Sequence, residues 1–404
     1  SASPSAYSLL ADYFSPKVRA TVISIYASGL YIGSGIGIFI GGLIVDNWNN
    51  AYPIISEAPF GLKGWQVAFM AVGIPGMLLA LLTWQIKEPP RGLSEGLVSS
   101  ESKNPLKETF KELVGLTPFG LLGSDNLKKE LTINFIFTVS ILLASYYLYV
   151  LTGDFLQWTA FGIGVYVICN WIHGLKNRDP VAFLLIFKSK ALLLGLLSFP
   201  FITFVTYALG AFGPSFYIRN FSMTATEVGI IYGLITVFGS MIGVICGGII
   251  GDKLRESYVN GKLYLIMASA ILTGITAIGF IHSENLVASF SWKFVYHIAS
   301  TAWLGCAAST VTELVLPRLR AVASAFFILM LSMIGLALGP YLTGMVSDIY
   351  INSGVLPGPA LKNAMTMTLV VLVLPFGMLA VACKYLKNDE AEIYDKARSM
   401  GEEI

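Results

Sequence analysis

The chain has 404 residues, of which 55% are hydrophobic and only 12% charged, with a mean hydropathy of +0.72. Soluble globular chains carry about 25% charged residues, so this composition excludes an ordinary soluble enzyme and points to a membrane protein. A formal net charge of +2 supplies no basic surface for nucleic acid, and residues 1–20 show no signal-peptide pattern.

In chain order, residues 1–14 are apolar but too short to cross a bilayer, and read as the end of an earlier helix. Apolar runs of spanning length follow at Thr21–Val45, Trp65–Gln85, Leu131–Leu151, Phe155–Ile172 and Ala191–Phe212. Five more lie at Val228–Ile250, Leu263–Phe280, Ser291–Leu314, Ala321–Val346 and Met365–Tyr385. Between the second and third runs, Asn104 can cap a helix with Pro105 at its first position. Leu106, Phe110, Leu113 and Val114 then share one face, opposite Lys107, Glu108 and Lys111. The reading is an amphipathic helix on the inner leaflet or a solvated linker helix. Cys169, Cys246, Cys306 and Cys383 sit in apolar runs without metal-ligand or disulfide spacing, so they read as small core residues and no metal or cofactor is expected.

Alternating the spans from Lys17 and Arg19 puts nearly all lysines and arginines on one side, leaving only Lys63, Arg219 and Lys362 on the other. By the positive-inside rule the rich side, including the C-terminus, is cytoplasmic, in an inner or plasma membrane.

The chain also repeats itself. Pro16, Lys17, Arg19 and Ala20 match Pro317, Arg318, Arg320 and Ala321. After a one-residue slip, Gly33, Gly37, Gly42 and Asp46 match Gly335, Gly339, Gly344 and Asp348. An internal repeat in so apolar a chain is the mark of a transporter built from two related helix bundles. The second copy is preceded by four spans and the first only by residues 1–14, which implies a missing start and an unrepeated pair at Leu131–Ile172.

With the repeat in place, GIIGDKLR from Gly248 to Arg255 resembles the cytoplasmic signature G-x-x-x-D-[RK]-x-[GR]-[RK] of the major facilitator superfamily. The following ESYVNG makes the loop before Lys262 longer than the family pattern. Gly29, Gly33, Gly37, Gly41 and Gly42 are similar to its helix-5 antiporter signature, with Ile38 in the proline's place, whereas the second copy has Gly339-Pro340. SPSAYSLLADYFSPKVRA and Gly64-Trp65 with Ala68-Phe69 resemble the spinster-like branch, as does Phe212–Gly229. In position only, the extra pair is similar to one in peptide transporters.

The resemblance implies an all-α membrane protein with the major facilitator superfamily fold. Two pseudo-symmetric six-helix bundles are expected, the first truncated by three and a half helices, with two extra helices between them. The expected parts are residues 1–85 (end of helix 4, helices 5 and 6), a linker at 86–130, the inserted pair at 131–188, the second bundle at 189–386 and a cytoplasmic tail at 387–404.

Several residues have expected roles. Gly29, Gly33, Gly37 and Gly41 recur every four residues, forming a side-chain-free stripe for close helix packing at the interface of the halves. Asp252, beside Lys253 and Arg255, ends its helix where a carboxylate can sit against the helix N-terminus at Thr21 or pair with Arg19. Asp12 and Glu313 hold matching places before the two repeats and can brace Arg19 and Arg320, closing an inner gate. Lys293 and His297 lie four apart within an apolar span, near Tyr296 and Trp303. They read either as an anion- or headgroup-binding site coupled to a proton, or as a snorkelling lysine and a packed histidine. Tyr207, Tyr217 and Tyr232 are candidates to line a central cavity.

No nucleophile–base set, phosphate loop or nucleotide motif appears, so a non-enzymatic secondary transporter is expected, working by alternating access on ion or substrate gradients. Its expected partners are the bilayer, protons and a small organic or lipid-like anion, and it reads as a monomer. The alternatives are a sugar-acid or drug proton antiporter of the same fold, and a membrane-embedded sensor.

Overall fold

A computed structural model describes residues 2–87, 89–96, 110, 114, 115, 117 and 127–401, and every regular element among them is a helix. The chain begins with α1 (Ala2–Tyr13), α2 (Arg19–Ala51) and α3 (Gly64–Thr83). At 1.5 Å per residue α2 is about 50 Å long, more than a hydrocarbon core requires. A short turn, Leu93–Glu95, follows. Gly92 and Gly96 flank it at φ of 82° and 72°, a left-handed geometry that glycine adopts without steric cost. The expected amphipathic helix at 104–114 falls outside the described residues except for Phe110 and Val114.

Next come the inserted hairpin, α4 (Leu127–Thr152) and α5 (Phe155–Arg178), and the short α6 (Pro180–Phe187). Asp179 begins α6 by accepting from the Ala182 amide, with Pro180 at its first position. A second group of helices completes the described residues. It comprises α7 (Lys190–Phe221), α8 (Ala225–Ser257), α9 (Gly261–His282), α10 (Leu286–Thr301) and α11 (Leu304–Glu313). Then come α12 (Arg320–Met330), α13 (Ala337–Asn352), α14 (Pro357–Thr368) and α15 (Val373–Ser399). A wide π turn, Leu331–Leu336, joins α12 to α13 just before Pro340. Proline removes one backbone donor and its ring crowds the preceding turn, and the wider turn accommodates both.

Eight helical stretches among the described residues are long and apolar enough to cross a membrane, which makes this an integral membrane protein. The expected span Thr21–Val45 is continuous helix inside α2. Ser291–Leu314 differs from expectation, because it is two helices parted at Ala302–Trp303. The break falls where backbones crowd. A Cβ at Gly247 of α8 would overlap the Ala302 carbonyl, and one at Gly305 would meet the Ala20 carbonyl of α2 at 2.7 Å.

The largest buried cluster lies toward the end that carries Pro16–Arg19 and Pro317–Arg320, called here the basic end. Tyr7, Ala20 and Ile23 of the first half join it to Leu192, Ile266, Val311 and Phe327 of the second. The first half is therefore held at one end, chiefly by α2 on α8 and α11 and by α1 on α12.

Candidate functional site

The contact between the halves is built around charge. Asp252, at the end of α8, accepts hydrogen bonds from the amides of Ala20 (3.2 Å) and Thr21 (2.7 Å) and from the Thr21 hydroxyl (2.7 Å). A carboxylate on a helix N-terminus meets unpaired amides and the positive end of the helix dipole together. Asp252 can come this close because Gly248, one turn earlier, has no side chain; a Cβ there would stand 2.7 Å from the Ala20 carbonyl.

The cation beside Asp252 is Lys262, 3.4 Å away, and the expected pairing with Arg19 does not occur. Lys262 is 2% exposed, and it donates to Glu313 (2.6 Å), Ser309 (2.8 Å) and the Pro16 carbonyl (3.3 Å). Glu313 therefore braces Lys262 instead of Arg320.

The two matching arginines are both fully buried and keep the repeat's geometry. Arg19 donates to the Ala11 carbonyl (2.9 Å) and Arg320 to the Thr312 carbonyl (3.2 Å), each eight residues back. Asp12 crosses to the other half and pairs with Arg320 at 2.8 Å. Glu95, from the turn after α3, pairs with both arginines, with Arg19 at 2.8 Å and with Arg320 at short range. The turn itself is pinned on α1, since the Gly92 amide donates to Asp12 (3.0 Å) and the Ser94 hydroxyl to the Ala11 carbonyl (2.7 Å). Arg255 pairs with Glu390 of α15 at 2.6 Å, while Lys253 is exposed.

Glu95 and Lys262 are the central charges that sequence reasoning missed. The signal for Glu95 was the glycine on either side of a three-residue turn. Lys262 was legible only as the basic residue that a lengthened loop carries to the end of the signature.

The glycines divide between two behaviours. Among the described residues, no atom lies within 4 Å of a Cβ placed at Gly29, Gly33, Gly37 or Gly41, so none of those residues packs on this stripe. Gly42 lies in the same helix. In the second copy, Gly335 lies against Thr203 and Gly339 against the Phe204 carbonyl of α7, and Gly344 packs against Phe212. Among the described residues, no atom stands at the equivalent place beside Gly33 or Gly37 of the first copy. The tight four-residue stripe that sequence reading overlooked is Gly239, Gly243, Gly247 and Gly251 of α8, pressed on Phe294, Ile298, Ala302 and Cys306.

On α10, Lys293 is fully buried, and among the described residues its ammonium has no hydrogen-bond partner. Three rings enclose it, with centroids at 4.2 Å (Phe280), 4.3 Å (Tyr296) and 5.0 Å (Tyr232), an arrangement that stabilises a cation through its attraction to ring faces. His297, one turn on, bonds Thr236 (3.1 Å) and Ser240 (3.4 Å) of α8. Tyr232 and Tyr296 thus stand beside Lys293 and His297, whereas Tyr207 and Trp303 stand elsewhere. Tyr207 is 42% exposed on α7, and Trp303 stacks on Phe199 in the core. Tyr217 is buried against Phe290, its hydroxyl 3.1 Å from Ser289.

A family model of the Major Facilitator Superfamily matches residues 1–340. This chain belongs to that superfamily. It is 28% identical to an MFS-type efflux pump of Mycolicibacterium smegmatis over 201 residues, covering 49% of this chain and 45% of the pump. It is 21% identical to protein spinster of Drosophila melanogaster over 352 residues, covering 84% of this chain and 43% of that one. The chain spans about half the length of these curated relatives. A crystal structure of a bacterial homologue of the human lysosomal transporter spinster, inward-facing and unoccupied, aligns with 97% of this chain and 74% of its own, with a TM-score of 0.46 and 22% identity.

Proposed function

We propose that this superfamily member forms part of a secondary active transporter that works by alternating access, with the basic end as its cytoplasmic gate. One observation carries the reading. The charged contacts between the halves gather at one end, where Asp252, Asp12 and Glu95 bind groups of the opposite half. Such a latch holds one side shut while the other is open, and the distribution of lysine and arginine supports a cytoplasmic place for that side. Coupling is to protons or to a solute gradient, and the cargo is a small organic or lipid-like anion, in keeping with the spinster and efflux relatives. A drug antiporter is the second reading, supported by the 28% identity to an efflux pump.

The test is counterflow in proteoliposomes at two pH values, with a panel of lysolipids, organic acids and drugs. Exchange of a panel member that Asp252→Asn alters supports the proposal. No exchange of any compound would favour a sensor.

A further inference from the structure

The inserted hairpin touches one span of the second bundle along nearly its whole length. At the basic end, Asp179 at the foot of α5 binds Arg318 at 2.6 and 3.3 Å. Above it Trp171 stacks on Phe326 of α12, with centroids 5.5 Å apart and planes 21° from parallel, and Phe187 meets the same ring edge-on at 5.2 Å. Gly164 admits Met333 of the π turn so closely that a Cβ would collide with its methyl group. Gln157 donates to the Ala337 carbonyl at 3.4 Å. Finally Trp158 packs edge-on against Tyr341 at 5.4 Å, and the Tyr341 hydroxyl donates to Asp154 at 2.5 Å.

These contacts bracket the irregular part of that span, the π turn at Leu331–Leu336 and Pro340. Proline and π turns are the usual places where a helix bends. On its other side the same stretch rests on α7 through Gly335 and Gly339. The span thus runs between two supports, and its lower end carries Arg318 and Arg320 into the charged latch.

We infer that the inserted hairpin is a splint: α5 travels with the second bundle, limits bending of the span from Arg320 to Asn352 at the π turn and Pro340, and so sets the position of Arg320 in the latch. Asp154, Gln157, Gly164 and Asp179 are its positioning residues. They touch no substrate and act through the span they hold. α4 stiffens the splint from behind, through the buried Asn134–Asn170 bond (2.8 Å) and the Tyr166 hydroxyl on Asn134 (3.1 Å).

This inference rests on the latch reading, and its test separates the two. Spin labels at Ser15 and Lys387 report opening of the basic end, and labels at Leu156 and Ile349 report hairpin movement against α13. Both pairs are placed in protein with its four native cysteines replaced and reconstituted in liposomes. Asp252→Asn alone is expected to lengthen the first distance and leave the second unchanged; an unchanged first distance would sink the latch. The triple variant Asp179→Asn, Gln157→Ala, Tyr341→Phe is expected to broaden the second distance. It should also raise the open population at the first pair about two- to thirtyfold, the range spanned by couplings carried through packed elements.

Exchanging the charges, with Asp179→Arg and Arg318→Asp together, is expected to restore much of the closed population. A hairpin loosened without any change at the basic end would overturn the splint. So would a triple variant that changes neither distance. A Leu156–Ile349 distance that changes between closed and Asp252→Asn protein as much as Ser15–Lys387 does would also overturn it, because the hairpin would then move apart from the second bundle.

Discussion

The two copies of the repeated segment start alike and then meet different neighbours. Each places a buried arginine that bonds the carbonyl eight residues back, and each shares Glu95. Beyond that first turn the first copy runs its glycines past open space, while the second presses Gly335 and Gly339 into α7. Equal sequence spacing thus yields unequal contacts. A glycine column only permits close approach, and a facing helix is needed to use it.

The arginines give the largest expected effects. Among the described residues Glu95 is the one carboxylate within ion-pairing distance of Arg19, whereas Arg320 also has Asp12. Glu95→Ala therefore leaves a buried guanidinium without a counter-charge, and about 3–5 kcal/mol of stability is expected to be lost. Asp12→Ala removes one of the two partners of Arg320 and is expected to cost about 1–3 kcal/mol. Thermal melting in detergent measures both, and equal losses would show that the copies hold their arginines equivalently.

The glycines come next. Gly339→Ala puts a methyl group onto the Phe204 carbonyl and is expected to destabilise by about 1–3 kcal/mol. Gly37→Ala meets nothing, and the gain of a better helix former is expected to stabilise by about 0.5–1 kcal/mol. The same melting experiment reads the difference in sign. A matching loss at Gly37 would mean that the first copy is packed after all.

The smallest effect concerns pH and only the second copy, whose Arg318 binds Asp179. Burial raises the Asp179 pKa, but the hydrogen bonds and charge of Arg318, together with the Ala182 amide, outweigh it and hold the carboxyl below its ordinary 3.8. A depressed acid pKa contributes stability that is complete above the unfolded value and is lost as pH falls through the folded one. The Leu156–Ile349 distance is accordingly expected to stay constant from pH 8 to about pH 5. Loosening sets in only below about pH 4, with an effect of at most about 1 kcal/mol for so exposed a pair. Loosening near neutral pH would mean that another group carries the tie.

How legible this was in the sequence depended on range. The spans, the inserted pair and the partnership of Asp252 with the helix start at Thr21 were readable, because hydropathy and a repeated motif are local patterns whose physical meaning is fixed. The exchange of partners was not. Asp12 and Glu313 occupy equivalent positions, yet Asp12 crosses to Arg320 and Glu313 turns to Lys262, a choice set by which helix stands 3 Å away. Glu95 escaped notice because a three-residue turn has no periodicity to read. The three rings around Lys293 come from α8, α9 and α10, so only folding brings them together.

One half of the Asp252 latch is written in the main chain. Its two amide donors at Ala20 and Thr21 belong to the peptide backbone, have no pKa in the physiological range and survive almost any side-chain replacement. Mutational scanning of α2 would therefore register only the Thr21 hydroxyl, which also donates to Asp252, and would reach the amides only where proline deletes an N–H. The side-chain share of this contact is divided between Asp252 and the Thr21 hydroxyl, and the other ties of the latch, Asp12 and Glu95 on Arg320, stand apart from it.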